Sequence, residues 1–224
     1  MRVGIIRFPG SNCDYDALNF FAKNGHVPFF VWYKERVIPK CDLVVLPGGF
    51  AFGDRVYEKA TAKYTINPGV LALRSPIMSA VRKFAAAGKP ILGICNGFQI
   101  LVKAGLLPGA LERNESKRFF CDWTICKIMG ASVFGDARLL RKKLRLPVAH
   151  GYGRYRASSA LLRELKANDQ IFLKYDGANP NGSVNDIAGI CNKEKTIFGL
   201  MPHPERARDG AHFIRAIERY VGKR

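Results

Sequence analysis

A chain of 224 residues, 48% hydrophobic and 24% charged, has the length for one large α/β domain and the composition of a soluble globular protein. No apolar run approaches the roughly 18 residues of a transmembrane helix, and Met1–Phe8 is too short and too charged for a signal peptide, so a cytoplasmic protein with no membrane partner is expected. The 36 basic and 18 acidic residues leave a formal charge of +18, which invites an anionic partner. The one dense basic run, Arg138–Arg145, lacks interleaved aromatics, which ranks a solvated basic face first, an acidic protein surface second and nucleic acid last.

Along the chain, strand and helix patterns alternate. Val3–Phe8 reads as a first strand, and Asp14–Asn24 as a helix that turns Ala17, Leu18, Phe20 and Phe21 to the core and stops at Gly25. Val27–Tyr33 and Leu43–Leu46 are the next strands, the second ended by Pro47-Gly48-Gly49. Residues 54–74 show no readable period and suggest a long surface loop. Ser75 and Pro76 open a helix as N-cap and first-turn proline, with Ile77, Val81 and Phe84 at helical spacing and Gly88 beyond. Lys89–Ile94 is a short buried strand and Phe98–Ala104 a helix that stops at Gly105. Phe119–Leu140 leans towards β structure, and shorter pieces follow Pro147. Ile187–Cys191 and Thr196–Leu200 resemble a hairpin, and Asp209–Val221 an amphipathic helix with Phe213, Ile217 and Tyr220 on one side. The alternation predicts an α/β fold: a single doubly wound, mostly parallel sheet with helices on both faces, as one domain over residues 1–224.

Six cysteines without CxxC pairs argue for free thiols. Cys121, Cys126 and His150 do not have a standard zinc spacing, so no metal is assigned. Cys95 differs from the rest because Gly93-Ile94-Cys95-Asn96-Gly97 stands where a strand runs into a helix. A nucleophile on such a turn needs small neighbours, and the helix N-terminus behind it favours a thiolate and offers N–H groups to an oxyanion. In isolation the same five residues also describe a buried core cysteine. Pro202-His203-Pro204-Glu205 follows another strand and supplies a base and its orienting carboxylate; in an extended segment residues two apart project to one side. Pro47-Gly48-Gly49-Phe50 ends a third strand. Ligands of doubly wound sheets bind at such strand ends, so the backbone N–H groups of Gly49 and Asn96 are the candidate oxyanion hole.

These blocks resemble the class I (triad) glutamine amidotransferases, and among them the glutaminase subunits of phosphoribosylformylglycinamidine synthases in purine biosynthesis. The likeness spans nearly the whole chain, through Phe8–Asp14, Pro47–Phe50, Gly93–Gln99, Gly105–Gly109, Ala149–Gly151, Asn181–Ser183 and Met201–Arg206. It implies the flavodoxin-like fold of that class and a Cys95–His203–Glu205 triad that hydrolyses glutamine through a Cys thioester. It further implies that Gln99 contacts bound glutamine and that backbone near Asn181, Gly182 and Ser183 holds its α-amino and carboxylate groups. The implied partners are a synthetase subunit, which uses ATP and Mg2+ to convert formylglycinamide ribonucleotide to its amidine, and a small accessory subunit. No phosphate-binding loop is present, so no cofactor is expected in this chain. Tyr152, Ala51-Phe52 and the stretch Arg55–Leu73 depart from the family's usual pattern. Two other readings stay open: an amidotransferase subunit for a different acceptor, and a catalytically silent basic α/β binding module.

Overall fold

The computed structural model describes residues 1–53, 69–129 and 140–222. Strands β1 (Arg2–Arg7), β2 (Val27–Trp32) and β3 (Leu43–Leu46) and helix α1 (Asp14–Lys23) form the first layer pair, with α1 packed on β1 and β2. Helix α2 (Ile77–Ala86), strand β4 (Ile91–Ile94) and helix α3 (Asn96–Lys103) follow. The β1, β2, β3 and β4 strands are parallel, and β3 and β4 are buried at every position, which is why they read as unbroken apolar runs. Helix α3 is buried from Asn96 through Val102, packed on β3 and β4.

The second half of the chain extends this sheet with antiparallel strands: β6 (Phe120–Ile128), β7 (Lys143–His150), β9 (Ile171–Tyr175) and β10 (Ile187–Cys191). The short strands β5 (Ala110–Glu112) and β8 (Arg154–Arg156) pair separately. Strand β11 (Ile197–Leu200) joins the halves, parallel to β4 and antiparallel to β10. The order is β2-β1-β3-β4-β11-β10-β9-β6-β7. Helices α4 (Ser159–Ala167) and α5 (Ala211–Gly222) complete the fold, with Phe213 and Ile217 of α5 in the core. The doubly wound parallel part and the Ile187–Leu200 hairpin are as the sequence predicts.

Two local expectations change. Ser75 is not the cap of α2: its Oγ donates to Ala72 O at 2.6 Å, closing the 3-10 turn Leu71–Arg74, and Pro76 occupies the N-cap position. Helix α4 is an element that the sequence pattern does not announce, opened by Ser158, whose Oγ accepts from the Leu161 N–H at 3.2 Å. The loop expected over 54–74 lies outside the described residues up to 68, and so does the start of the basic run at Arg138. The rest of that run is tied down in part. Lys143 pairs with Asp176 at 2.7 Å, and Arg145 lies over the Trp123 ring. Among the described residues no helix is long and apolar enough to cross a membrane.

Candidate active site

Cys95 occupies the turn between β4 and α3 with φ 50° and ψ −103°, a left-handed conformation costly for a residue with a side chain. Hydrogen bonds hold it there: its N–H donates to Leu200 O at 2.8 Å, and its carbonyl accepts from the Gln99 N–H at 3.1 Å. The flanking glycines are explained by close packing. A Cβ on Gly97 would lie 1.9 Å from Leu46 O, and one on Gly93 would lie 2.5 Å from Leu101 Cδ1. The Cys95 thiol, in a residue 5% exposed, points to the Ala149 carbonyl of β7 at 3.8 Å.

His203 is anchored across the sheet, its N–H donating to Pro147 O of β7 at 2.9 Å. Its Nδ1–H donates to Glu205 Oε1 at 2.7 Å, with both side chains essentially inaccessible. The pairing follows the expected residues but not the expected backbone. Pro204–Arg206 is a 3-10 turn with His203 at its N-cap, so Glu205 folds back over a turn and does not reach its partner by strand alternation. Burial alone would lower the proton affinity of His203. The Glu205 carboxylate, followed by Cys95 and Cys13, outweighs it and holds the imidazole well above the ordinary histidine range. With Nδ1–H on Glu205, Nε2 is the ring nitrogen left to exchange a proton with the thiols of Cys95 and Cys13.

The Gly-rich loop after β3 closes over this pair. A Cβ on Gly48 would come within 2.7 Å of His203 Cε1, 3.1 Å of Cys13 Sγ and 3.4 Å of Cys95 Cβ, so the loop, base and nucleophile are in mutual contact. Gly49 has φ 129° and runs against the backbone of Gly10–Asn12. Asn96 Oδ1 accepts from the Ala51 N–H at 3.1 Å, fastening the nucleophile turn to this loop. The departing residue Ala51 is held through its backbone N–H, and its side chain is fully buried in the core.

Of the other predicted site residues, Gln99 is buried on α3. Its Oε1 accepts from Asn96 Nδ2 at 2.9 Å and its Nε2 donates to Tyr152 O at 2.8 Å, so its amide braces the nucleophile turn. Asn181, Gly182 and Ser183 form a tight loop around Asn179, whose Oδ1 accepts from all three N–H groups at 3.0–3.3 Å. Asn181 Nδ2 donates to Gly153 O at 2.9 Å and to Tyr175 Oη at 3.0 Å, and Ser183 Oγ donates to Asn181 Oδ1 at 2.6 Å. These residues are hydrogen-bonded to the 150–155 segment and not to the triad.

Three residues outside the predicted set shape the site. His150 is buried behind Ala149, its Nδ1–H donating to Asn114 Oδ1 at 3.2 Å; burial, then the charge of His203, lowers its pKa to about 3. Asn114 also donates to His150 O at 2.9 Å and accepts from the Gly153 N–H at 3.0 Å. Cys13 lies against His203. Its one signal in the sequence is its place in the Phe8–Asp14 block. The zinc idea for Cys121, Cys126 and His150 fails on geometry: five apart on β6, the two thiols face opposite sides, one exposed and one fully buried.

The sequence profile of the CobB/CobQ-like glutamine amidotransferase domain matches residues 1–216. The phosphoribosylformylglycinamidine synthase subunit PurQ of Wolinella succinogenes is 45% identical, over 97% of this chain and 99% of that protein. The same-named subunit of Thermomicrobium roseum is 48% identical, over 93% and 89%. Among solved structures, a chain of PurLQS from Thermotoga maritima superposes with a TM-score of 0.84 at 35% identity, covering 98% of each chain. A glutamine amidotransferase from Thermotoga maritima, 19% identical with a TM-score of 0.54 over 100% of this chain and 83% of that one, shares the fold. The chain belongs to the CobB/CobQ-like glutamine amidotransferase family, in its branch of PurQ subunits of phosphoribosylformylglycinamidine synthase.

Proposed function

We propose that this chain is the glutaminase subunit of a phosphoribosylformylglycinamidine synthase, acting in the cytoplasm as a single domain over residues 1–224. The observation that carries the reading is Cys95 held at φ 50° beside a buried His203–Glu205 pair at 2.7 Å. His203 Nε2 takes the Cys95 thiol proton, and Sγ attacks the side-chain amide carbon of glutamine. The oxyanion forms against the N–H groups of Gly49 and Asn96 at the N-terminal end of α3. Protonated His203 then gives its proton to the amide nitrogen, ammonia leaves and a glutamyl thioester remains. Water, deprotonated by His203, hydrolyses that thioester to glutamate and restores the thiol. Glu205 keeps the ring proton on Nδ1 and stabilises the imidazolium. Gln99 and the Asn181–Ser183 loop shape the glutamine pocket from behind, through Tyr152 and the 150–155 segment.

Every step uses side chains and backbone N–H groups of this chain and water. The curated relatives are named as subunits of the synthase, which supports assigning ATP and Mg2+ to a synthetase subunit that receives the ammonia, with a small accessory subunit in the same complex. The +18 charge suits an acidic surface on that partner better than nucleic acid.

The test is glutamate release from glutamine by the chain and by Cys95→Ala, each alone and with synthetase subunits, ATP and formylglycinamide ribonucleotide. Cys95-dependent release stimulated by the partners is the expected result. Release indifferent to them points to another acceptor. No release with partners bound refutes the glutaminase.

A further inference from the structure

A row of apolar side chains runs along the outer face of β6 and β7. Phe119, Cys121, Trp123 and Ile125 stand at alternate positions, which a strand turns to one side. All four are exposed, Phe119 at 40%, Trp123 at 46% and Ile125 at 38%. On β7 the face continues through the cross-strand partners of the last three, Ala149, Pro147 and Arg145. The Arg145 guanidinium lies over the Trp123 ring, 4.7 Å from its centroid. Single exposed apolar residues are ordinary on a protein surface, but a contiguous row of them marks a place of contact. Tryptophan and arginine are also the residues that carry most binding energy at protein interfaces.

The row begins at the active site. Cys121 is paired with Ala149, whose carbonyl faces the Cys95 thiol at 3.8 Å. Phe119 packs on Phe50, ring centroids 6.4 Å apart, and Phe50 directly follows Gly49 of the oxyanion loop. The far end of the face is basic. Lys127, Lys143 and Arg145 project from it, and Lys143 is paired with Asp176 at 2.7 Å. A second copy of the chain on this face would bring like charges together, which opposes self-association. The occupant that fits has an apolar centre and an acidic border, and it lies against the site where ammonia is released.

We propose that the outer face of β6 and β7, centred on Trp123, is where the synthetase subunit docks; the identity of the partner rests on the function proposed above. Trp123 and Ile125 supply the apolar centre of the contact. Carboxylates of the partner pair with Lys127, Lys143 and Arg145 at its border. At the other end, Phe119 brings the contact up to the oxyanion loop through Phe50.

Cys121 is a built-in probe of this face. In the full chain carrying Cys95→Ala it is the exposed thiol, the other four being buried. That chain is alkylated with iodoacetamide, alone and assembled with the synthetase and accessory subunits, and the modified peptides are read by mass spectrometry. Cys121 should react at least about tenfold more slowly in the complex, as a group at a desolvated interface centre does. Trp123→Ala should weaken assembly by about thirtyfold, the loss typical of a central interface tryptophan, and leave glutamine hydrolysis by the isolated chain unchanged. Ile125→Glu should weaken it too, and provides the test should Trp123→Ala not fold. Val27→Ala, at an exposed apolar residue on β2 at the opposite edge of the sheet, should leave affinity unchanged. A complex in which Cys121 reacts as in the free chain, or in which Trp123→Ala and Ile125→Glu bind normally, overturns the docking face and leaves the partner standing. Protection of Cys121 on raising the chain's own concentration, with no synthetase present, assigns the face to a second copy and overturns the proposal. A chain that assembles with no synthetase refutes the partner itself, and this docking with it.

Discussion

His150 makes the fold sensitive to mild acid. Its imidazole is 2% exposed, donates to Asn114 Oδ1, and has a pKa lowered to about 3 by burial and by the charge of His203. In the unfolded chain the same group titrates near 6.5. Between these values the unfolded state binds the proton and the folded state does not. Stability present above about pH 6.5 is therefore lost as pH falls towards 3. The linkage relation gives a loss of about 2 kcal/mol between pH 7 and pH 5 from this one residue. His203 works in the opposite sense: its raised value adds stability that is complete below about 6.5 and is lost only as pH rises through its folded value, so it does not mask the acid limb. His26 and His212, also lowered by burial first, add to the loss. The assay is urea unfolding at pH 7, 6 and 5 for the chain and for His150→Gln, whose amide can replace the ring's contacts with Asn114 Oδ1 (3.2 Å) and Asn181 Nδ2 (3.5 Å) without titrating. The unsubstituted chain should lose about 2 kcal/mol more than His150→Gln across that range. Parallel losses in the two proteins would refute a neutral, buried His150.

Gly48→Ala places a methyl group 2.7 Å from His203 Cε1 and 3.4 Å from Cys95 Cβ, so kcat for glutamine hydrolysis should fall by about a hundredfold; near-normal kcat would show that the site does not rely on this close approach. Cys95→Ala should abolish glutamine use and leave ammonia-dependent synthesis by the assembled complex, measured with ammonium salts in place of glutamine. His203→Ala should nearly match it, and Glu205→Ala should be milder, because the carboxylate orients a base that remains in place. Equal damage from Glu205→Ala would mean that its role is misassigned. Affinity for the synthetase should fall as salt is raised from low to physiological strength, and a salt-independent affinity would dissociate the +18 charge from docking.

The parallel half of the sheet was legible because both faces of β3 and β4 are buried and the apolar runs end in glycines. The nucleophile turn was legible for the same reason that it packs: only glycine fits at 93 and 97. The antiparallel half was not. Strand β6 buries Thr124, Cys126 and Ile128 and exposes Cys121, Trp123 and Ile125, so apolar residues fall on both faces and the alternation is blurred. Helix α4 fully buries only Leu165, too little for a visible stripe. His203 and Glu205 were found as a pair although the backbone joining them is a turn, since the hydrogen bond needs only their proximity. Cys13 and His150 were not placed in the site, because the segments carrying them meet His203 only through tertiary packing.

Strand β11 has a consequence for how the chain is made. It is among the last strands to be synthesised, yet it lies in the middle of the sheet, between β4 and β10. Until residue 200 has left the ribosome, β4 presents an unpaired apolar edge, and the Cys95 N–H lacks the Leu200 carbonyl that holds it. The nucleophile is therefore locked into its turn only three residues before the base is added. An unfinished chain carries no positioned nucleophile, at the cost of a nascent half-sheet with a sticky edge. Chains ending before Ile197 should aggregate on release, and those extending past α5 should not.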